Sequence, residues 1–263
     1  MYLRKVGVGR LFFAVGFAAI GAISLVARDF LLHQQPVPQN IPWRETLACI
    51  SAALLLVAGA GLLLPATAKR SALTLTAFLA LWVVALQLPR ALAHPLVEGN
   101  WLGVGEDSSL VGGGWLIYYA VAGRTDGSVR IARILFGLAL VPIGLSHFVY
   151  LQGAATLIPT WMPWRVPLTA LGGAGHIAAG LAIAFGVVPR LAATLEAIME
   201  TLFTLICWVS AVVVTPSSRE DWVNLCISTA LSAAAWAVAE SYGRRLEATR
   251  VIQSRNAEAP PGA

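Results

Sequence analysis

The chain reads as an all-α, polytopic membrane protein with eight transmembrane helices arranged as two parallel four-helix repeats. Three observations predict this. Charged residues make up only 12% of the 263 residues and hydrophobic residues 58%, whereas a soluble domain carries about 25% charged residues. Apolar runs of about 20 residues, the length that crosses a ~30 Å hydrocarbon core, recur along the chain. A rare tripeptide, Pro42-Trp43-Arg44, returns as Pro163-Trp164-Arg165. The shortage of charge excludes a water-soluble enzyme, a disordered tail protein and a nucleic-acid binder. Cys49, Cys207 and Cys226 form no CxxC and no metal spacing, so no disulfide framework is indicated.

The expected spans are 11–32, 46–64, 72–90, 101–122, 133–152, 167–187, 191–214 and 222–242. They do not alternate in polarity, which excludes a barrel. Arg4 and Lys5 before the first run resemble the start of a signal peptide. No small-x-small cleavage site follows, and the run has an internal counterpart, so it is read as a retained span. The connections carry turn chemistry: Pro65, Gly123-Arg124-Thr125-Asp126-Gly127, Pro189 and Thr215-Pro216-Ser217-Ser218. The tail from 244 to 263 ends in Pro260-Pro261-Gly262 and is expected to be polar, cytoplasmic and disordered.

Charge placement orients the chain. Eight spans put both termini on one side. Arg4, Lys5, Arg10, Lys69, Arg70, Arg124, Arg130, Arg133, Arg190, Arg244, Arg245, Arg250 and Arg255 fall there. Arg28, Arg44, Arg90, Arg165 and Arg219 fall on the other. The positive-inside rule makes both termini cytoplasmic, in the plasma (inner) membrane of a bacterium-like cell. The net charge of +5 then reflects topology and a lipid partner, with no nucleic acid.

The repeat runs through both halves. At the offset of the Pro-Trp-Arg pair, Ala58-Gly59 matches Ala179-Gly180, Pro95 matches Pro216, Trp101 matches Trp222 and Trp115 matches Trp236. A nearby offset pairs Arg10 with Arg133 and Ile20-Gly21 with Ile143-Gly144. The expected domains are a degenerate first repeat at 1–123, a cytoplasmic linker at 124–132 and a second repeat at 133–243. Four spans per unit make the repeats parallel. Trp43, Arg44, Trp164 and Arg165 then sit at the outer interface, where Trp anchors and Arg snorkels.

Ionisable groups inside hydrocarbon are costly and are functional candidates. His147 lies roughly 21 Å from the inner edge, and His176 and Glu200 each lie roughly 14 Å inside their spans. Glu196 shares a helix face with Glu200. Asn224 descends from the top of the eighth span. These five form a candidate intramembrane polar pocket in the second repeat, of the kind built inside four-helix bundles. The first repeat lacks them at aligned positions. It carries Arg28-Asp29, His33, Glu45, Gln87, Arg90, His94 and Glu106-Asp107 instead, mostly expected at an outer rim. Arg28, Asp29, Glu106 and Asp107 are secondary candidates, and Gly103 and Gly105 let the fourth helix start late with Asp107 or Ser108 as its N-cap. His147, His176 and Glu200 are metal-ligand types, but no HExxH or other close ligand motif is present, so no metal is assigned. Gly172, Gly173, Gly175, Ala179 and Gly180 give the sixth span a small face for close helix approach.

Residues 133 to about 214 resemble the DoxX-like family of four-helix membrane proteins. Gly144-Leu145-Ser146-His147-Phe148, Ile158-Pro159-Thr160-Trp161-Met162-Pro163, Gly175-His176-Ile177-Ala178-Ala179-Gly180 and Arg190 carry the resemblance. The chain departs from it by placing His176 where the family has Glu. Family members are associated with redox systems, including the small membrane subunit of a thiosulfate:quinone oxidoreductase. The resemblance thus implies an accessory or quinone-linked subunit, with a quinone as cofactor and a redox partner protein. A small-molecule transporter and a non-catalytic membrane scaffold or assembly protein remain open alternatives, and no catalytic residue is assigned.

Overall fold

A computed structural model describes residues 7–31, 33–124 and 127–258, with side chains described as far as Gly243. Arg4, Lys5, Thr125, Asp126 and the end of the tail at 259–263 lie outside the described residues. So do the side chains of Arg244, Arg245, Arg250 and Arg255. The described chain is helical, without a strand among the described residues.

Eight long helices follow one another. They are α1 (Val8–Ala27), α2 (Arg44–Gly61), α3 (Ala68–Ala93), α4 (Glu98–Ala122), α5 (Ser128–Val149), α6 (Arg165–Phe185), α7 (Pro189–Val214) and α8 (Arg219–Glu258). Seven are long and apolar enough to cross a membrane. The exception is α4, which carries Glu106, Asp107, Ser108, Ser109 and three successive glycines. Its burial explains that composition. Asn100, Gly103, Asp107 and the run from Ser108 to Gly114 are all buried, because α3, α5 and α8 pack around it. A helix shielded from lipid does not need an apolar surface all round.

Consecutive helices pack side by side, and α8 closes on α1. Thus α4 packs on α5 and α8 on α1, while α4 and α8 meet across the middle. Glycine permits the closest of these contacts. A Cβ on Gly180 would lie 2.4 Å from the Gly137 carbonyl oxygen, and one on Gly144 2.5 Å from that of Gly173. The α1–α2 pair has the same construction, with a Gly21 Cβ 2.3 Å from the Leu56 nitrogen and a Gly59 Cβ 2.5 Å from that of Ala18.

Other local geometries also occur twice. Trp43 and Trp164 precede their helices in the left-handed region, at φ 60° and 55°. Each of α3 and α7 contains a π-helical turn, Val83–Gln87 and Thr204–Trp208. Trp101 and Trp222 each donate from Nε1 to the carbonyl of a preceding proline, Pro95 and Pro216, at 3.0 Å.

Several boundaries differ from expectation. α1 ends at Ala27 because Arg28 turns left-handed at φ 51°, so 28–31 is a connection and not helix, and the last residue of the expected span, 32, lies outside the described residues. α5 begins at Ser128, inside the expected linker, and ends at Val149, before a short helix Leu151–Ala155. α8 continues as helix to Glu258, past the expected start of a disordered tail. α4 starts at Glu98, so neither Asp107 nor Ser108 is an N-cap; both lie within the helix.

Candidate functional site

The centre of the site is His176 on α6. Its Nδ1 lies 2.8 Å from Glu196 Oε1 on α7 and its Nε2 3.9 Å from Glu200 Oε1, one turn further along α7. All three residues are buried, at 6%, 1% and 6% exposure. Helical periodicity puts the two glutamates on one face, and the small residues of α6 bring His176 close to it. Gly175 is one of these: a Cβ there would lie 2.9 Å from the Met199 sulfur.

His147, near the end of α5, faces His176 with ring centroids 5.1 Å apart. The rings are tilted by 48° and not stacked. The close α5–α6 contact brings them together, since a Cβ on Gly173 would lie 2.7 Å from the His147 Cβ. His147 Nδ1 pairs with the Ile143 carbonyl at 2.9 Å. A carbonyl only accepts, so Nδ1 carries the proton and, in the neutral ring, Nε2 presents a lone pair. His147 is half-buried, and its near neighbours in sequence, Leu145 and Phe148, are exposed.

Asn224 does not complete this group. It is half-buried on α8 and makes no hydrogen bond to it. The polar partners of α7 on α8 are serines instead. Thr201 pairs with Ser232 and Thr204 with Ser228, each at 2.7 Å, and Trp236 donates to Thr201 at 3.1 Å. The Thr204 pair sits at the start of the π turn, where Thr204 also donates to the Glu200 carbonyl at 2.8 Å.

The first half reaches the same region, which the alignment of repeats did not anticipate. Glu106 on α4 is close enough to Glu200 to interact electrostatically. Its carboxylate accepts from Gln34 at 3.4 Å and lies 3.5 Å from His33. The His33 side chain is 50% exposed and that of Glu106 18%. His33 and Glu106 therefore lead inward from the surface, and Glu200 lies within electrostatic range of Glu106 although α4 and α7 do not pack on each other. Asp107 is fully buried beside the Gln87 amide, without an aligned hydrogen bond to either carboxylate oxygen. Gln87 itself is buried and donates to the His33 and Gln34 carbonyls. It belongs to the interior and not to a rim.

The remaining candidates form a separate cluster. Asp29 accepts from Arg44 and from the Phe30 amide. Arg219 lies 3.8 Å from Asp29 Oδ2 and donates to the carbonyls of Asp29 and Phe30 at 3.1 Å. Asp29, in the connection after α1, is thus the tie between Arg44 at the start of α2 and Arg219 at the start of α8. Arg28 makes an exposed ion pair with Glu45 at 3.1 Å. Trp43 and Trp164 are exposed, at 80% and 77%, and Arg165 is half-buried.

Together, fold and site define a polytopic helical membrane protein with a buried histidine–carboxylate centre. No protein-family model matches the chain, and no curated protein and no solved structure matches it.

Proposed function

We propose that the chain is a DoxX-like protein of eight spans in two repeats, 1–123 and 133–243, with both termini cytoplasmic in a bacterial-type inner membrane. It serves as an accessory, quinone-linked subunit of a redox system. The recurrence of the left-handed tryptophans, the π turns, the glycine contacts and the Trp–Pro hydrogen bonds supports the duplication.

His147 carries the quinone reading. Its Nδ1–H is engaged by Ile143, its Nε2 is an acceptor, and it is only half-buried, with exposed Leu145 and Phe148 near it in sequence. A quinol arriving through the bilayer brings a hydroxyl donor to that nitrogen. The His176 ring lies behind it, tilted by 48°, and is itself held by Glu196. Electrons would pass between the quinol and a redox partner protein. The test is purification in mild detergent followed by mass spectrometry of extracted small molecules. Stoichiometric quinone in the parent, lost in His147→Ala, is the expected result. A clean, folded preparation without quinone overturns the reading in favour of a scaffold.

One observation favours transport as a second reading: His33 and Glu106 lead inward from the surface, within electrostatic range of Glu200 in the other half. Cation-dependent substrate flux in reconstituted vesicles, lost in Glu106→Gln, would establish it.

A further inference from the structure

The His176 ring has both nitrogens committed to carboxylates, but in unequal ways. Nδ1 is at hydrogen-bonding distance from Glu196, 2.8 Å. A carboxylate oriented on one ring nitrogen fixes the tautomer and leaves the other nitrogen as a lone pair. That nitrogen, Nε2, faces Glu200 Oε1 across 3.9 Å, too far for a hydrogen bond. Both groups are buried. A metal–nitrogen bond is about 2.0–2.1 Å and a metal–carboxylate bond about 2.0–2.2 Å. Two such bonds span ~4.2 Å in line and ~3.4 Å at a tetrahedral angle. The gap falls between those limits.

We propose that His176 Nε2 and Glu200 hold a divalent transition-metal ion, with Glu196 as the carboxylate that orients the histidine. Ligand atoms of these three residues lie within 4.8 Å of one another. A second, independent feature points the same way. Glu196 Oε2 is buried and has no hydrogen-bond partner, and the Glu196 side chain is 0% exposed. An unpaired carboxylate oxygen in that setting is costly, and a cation held on the far nitrogen of the same ring offsets part of that cost.

Charge balance agrees. Glu196 and Glu200 are both buried on one face of α7, and no arginine or lysine forms an ion pair with either of them among the described residues. An ion at His176 and Glu200 compensates them. The donor set selects the class of ion. Imidazole suits zinc, iron, copper or nickel, whereas calcium and magnesium take oxygen ligands alone.

This inference goes beyond the quinone reading and does not depend on it, because metal content is measured without quinone. Untagged full-length protein is purified in detergent without chelator from cells grown with added zinc, and its metals are quantified. Stripped protein is then titrated with Zn²⁺, and with Co²⁺ to read the ligand-field spectrum. Stoichiometric zinc and Co²⁺ bands of a nitrogen–oxygen site are expected. Glu200→Gln abolishes them, and Glu196→Gln weakens zinc affinity about 10–100-fold. The double variant Cys207→Ser/Cys226→Ser retains them, since neither thiol is a ligand. Absence of both zinc and Co²⁺ bands in the parent chain overturns the proposal even if the variants do not fold. Unchanged zinc binding in a folded Glu200→Gln variant overturns it equally.

Discussion

Replacing His176 with alanine removes the partner of Glu196 in the least accessible part of the bundle. The Glu196 side chain is 0% exposed and that of His176 7%. Breaking a buried pair by deleting one member costs about 3–5 kcal/mol, because the other is left uncompensated. For a chain near this size 1 kcal/mol moves the thermal midpoint by about 2–4 °C, so His176→Ala should lower it by ~6–20 °C. Removing both members in His176→Leu/Glu196→Leu should restore most of the loss, since hydrophobic replacement of a buried pair is often neutral or stabilising by about 1–4 kcal/mol. Thermal unfolding in detergent, followed by tryptophan fluorescence with EDTA present, reads the pair alone. A typical hydrogen bond between membrane helices couples by only ~0.6 kcal/mol. The double-mutant cycle should exceed that clearly. Additive single substitutions would refute the view that His176 and Glu196 form one energetic unit.

Three further outcomes are expected. Asp107→Asn should stabilise the protein by about 1–3 kcal/mol, because a fully buried carboxylate without an aligned partner becomes a neutral amide beside Gln87; a lower thermal midpoint would contradict this. Gly180→Leu should shift the size-exclusion profile toward aggregate, since its Cβ would lie 2.4 Å from the Gly137 carbonyl oxygen, while Gly153→Ala, with nothing within 4 Å, should stay within about 0.5 kcal/mol of the parent. A reporter fused at Ala263 should be active only in its cytoplasmic form, and an extracytoplasmic signal would invert the proposed topology.

Hydropathy was enough to recognise the helices, because seven of them face lipid and must be apolar over a full span. It also led to α4 by length and by its tryptophan match, although α4 has other reasons for its composition. What the sequence hid were rotations and irregular turns. His147, His176, Glu196 and Glu200 could be named as interior groups, but their pairing depends on the glycine contacts that turn α6 toward α5 and α7. Asn224 could be named with them, but it makes no hydrogen bond to the group. Glu106 and Asp107 looked like residues of a late helix start because glycines precede them. In the structure those glycines serve packing, with a Gly103 Cβ 2.5 Å from Gln87 Oε1 and a Gly105 Cβ 2.7 Å from the Ala139 carbonyl oxygen. The π turns leave no period in five residues. Arg44 read as an interfacial side chain, yet the left-handed Trp43 starts its helix so that it meets Asp29.

The position of α4 bears on how the protein is made. A helix with Glu106, Asp107 and three successive glycines is a poor substrate for release into lipid on its own hydropathy. Its finished surroundings are α3, which is synthesised before it, and α5 and α8, which are synthesised after it. The growing chain must therefore keep α4 sheltered beside α3 until later segments arrive. On the proposed eight-span topology, integration of α4 is completed only by the helices that follow it. A break in the coding region after Gly123 would then strand a segment whose stable residence in the bilayer depends on residues not yet translated.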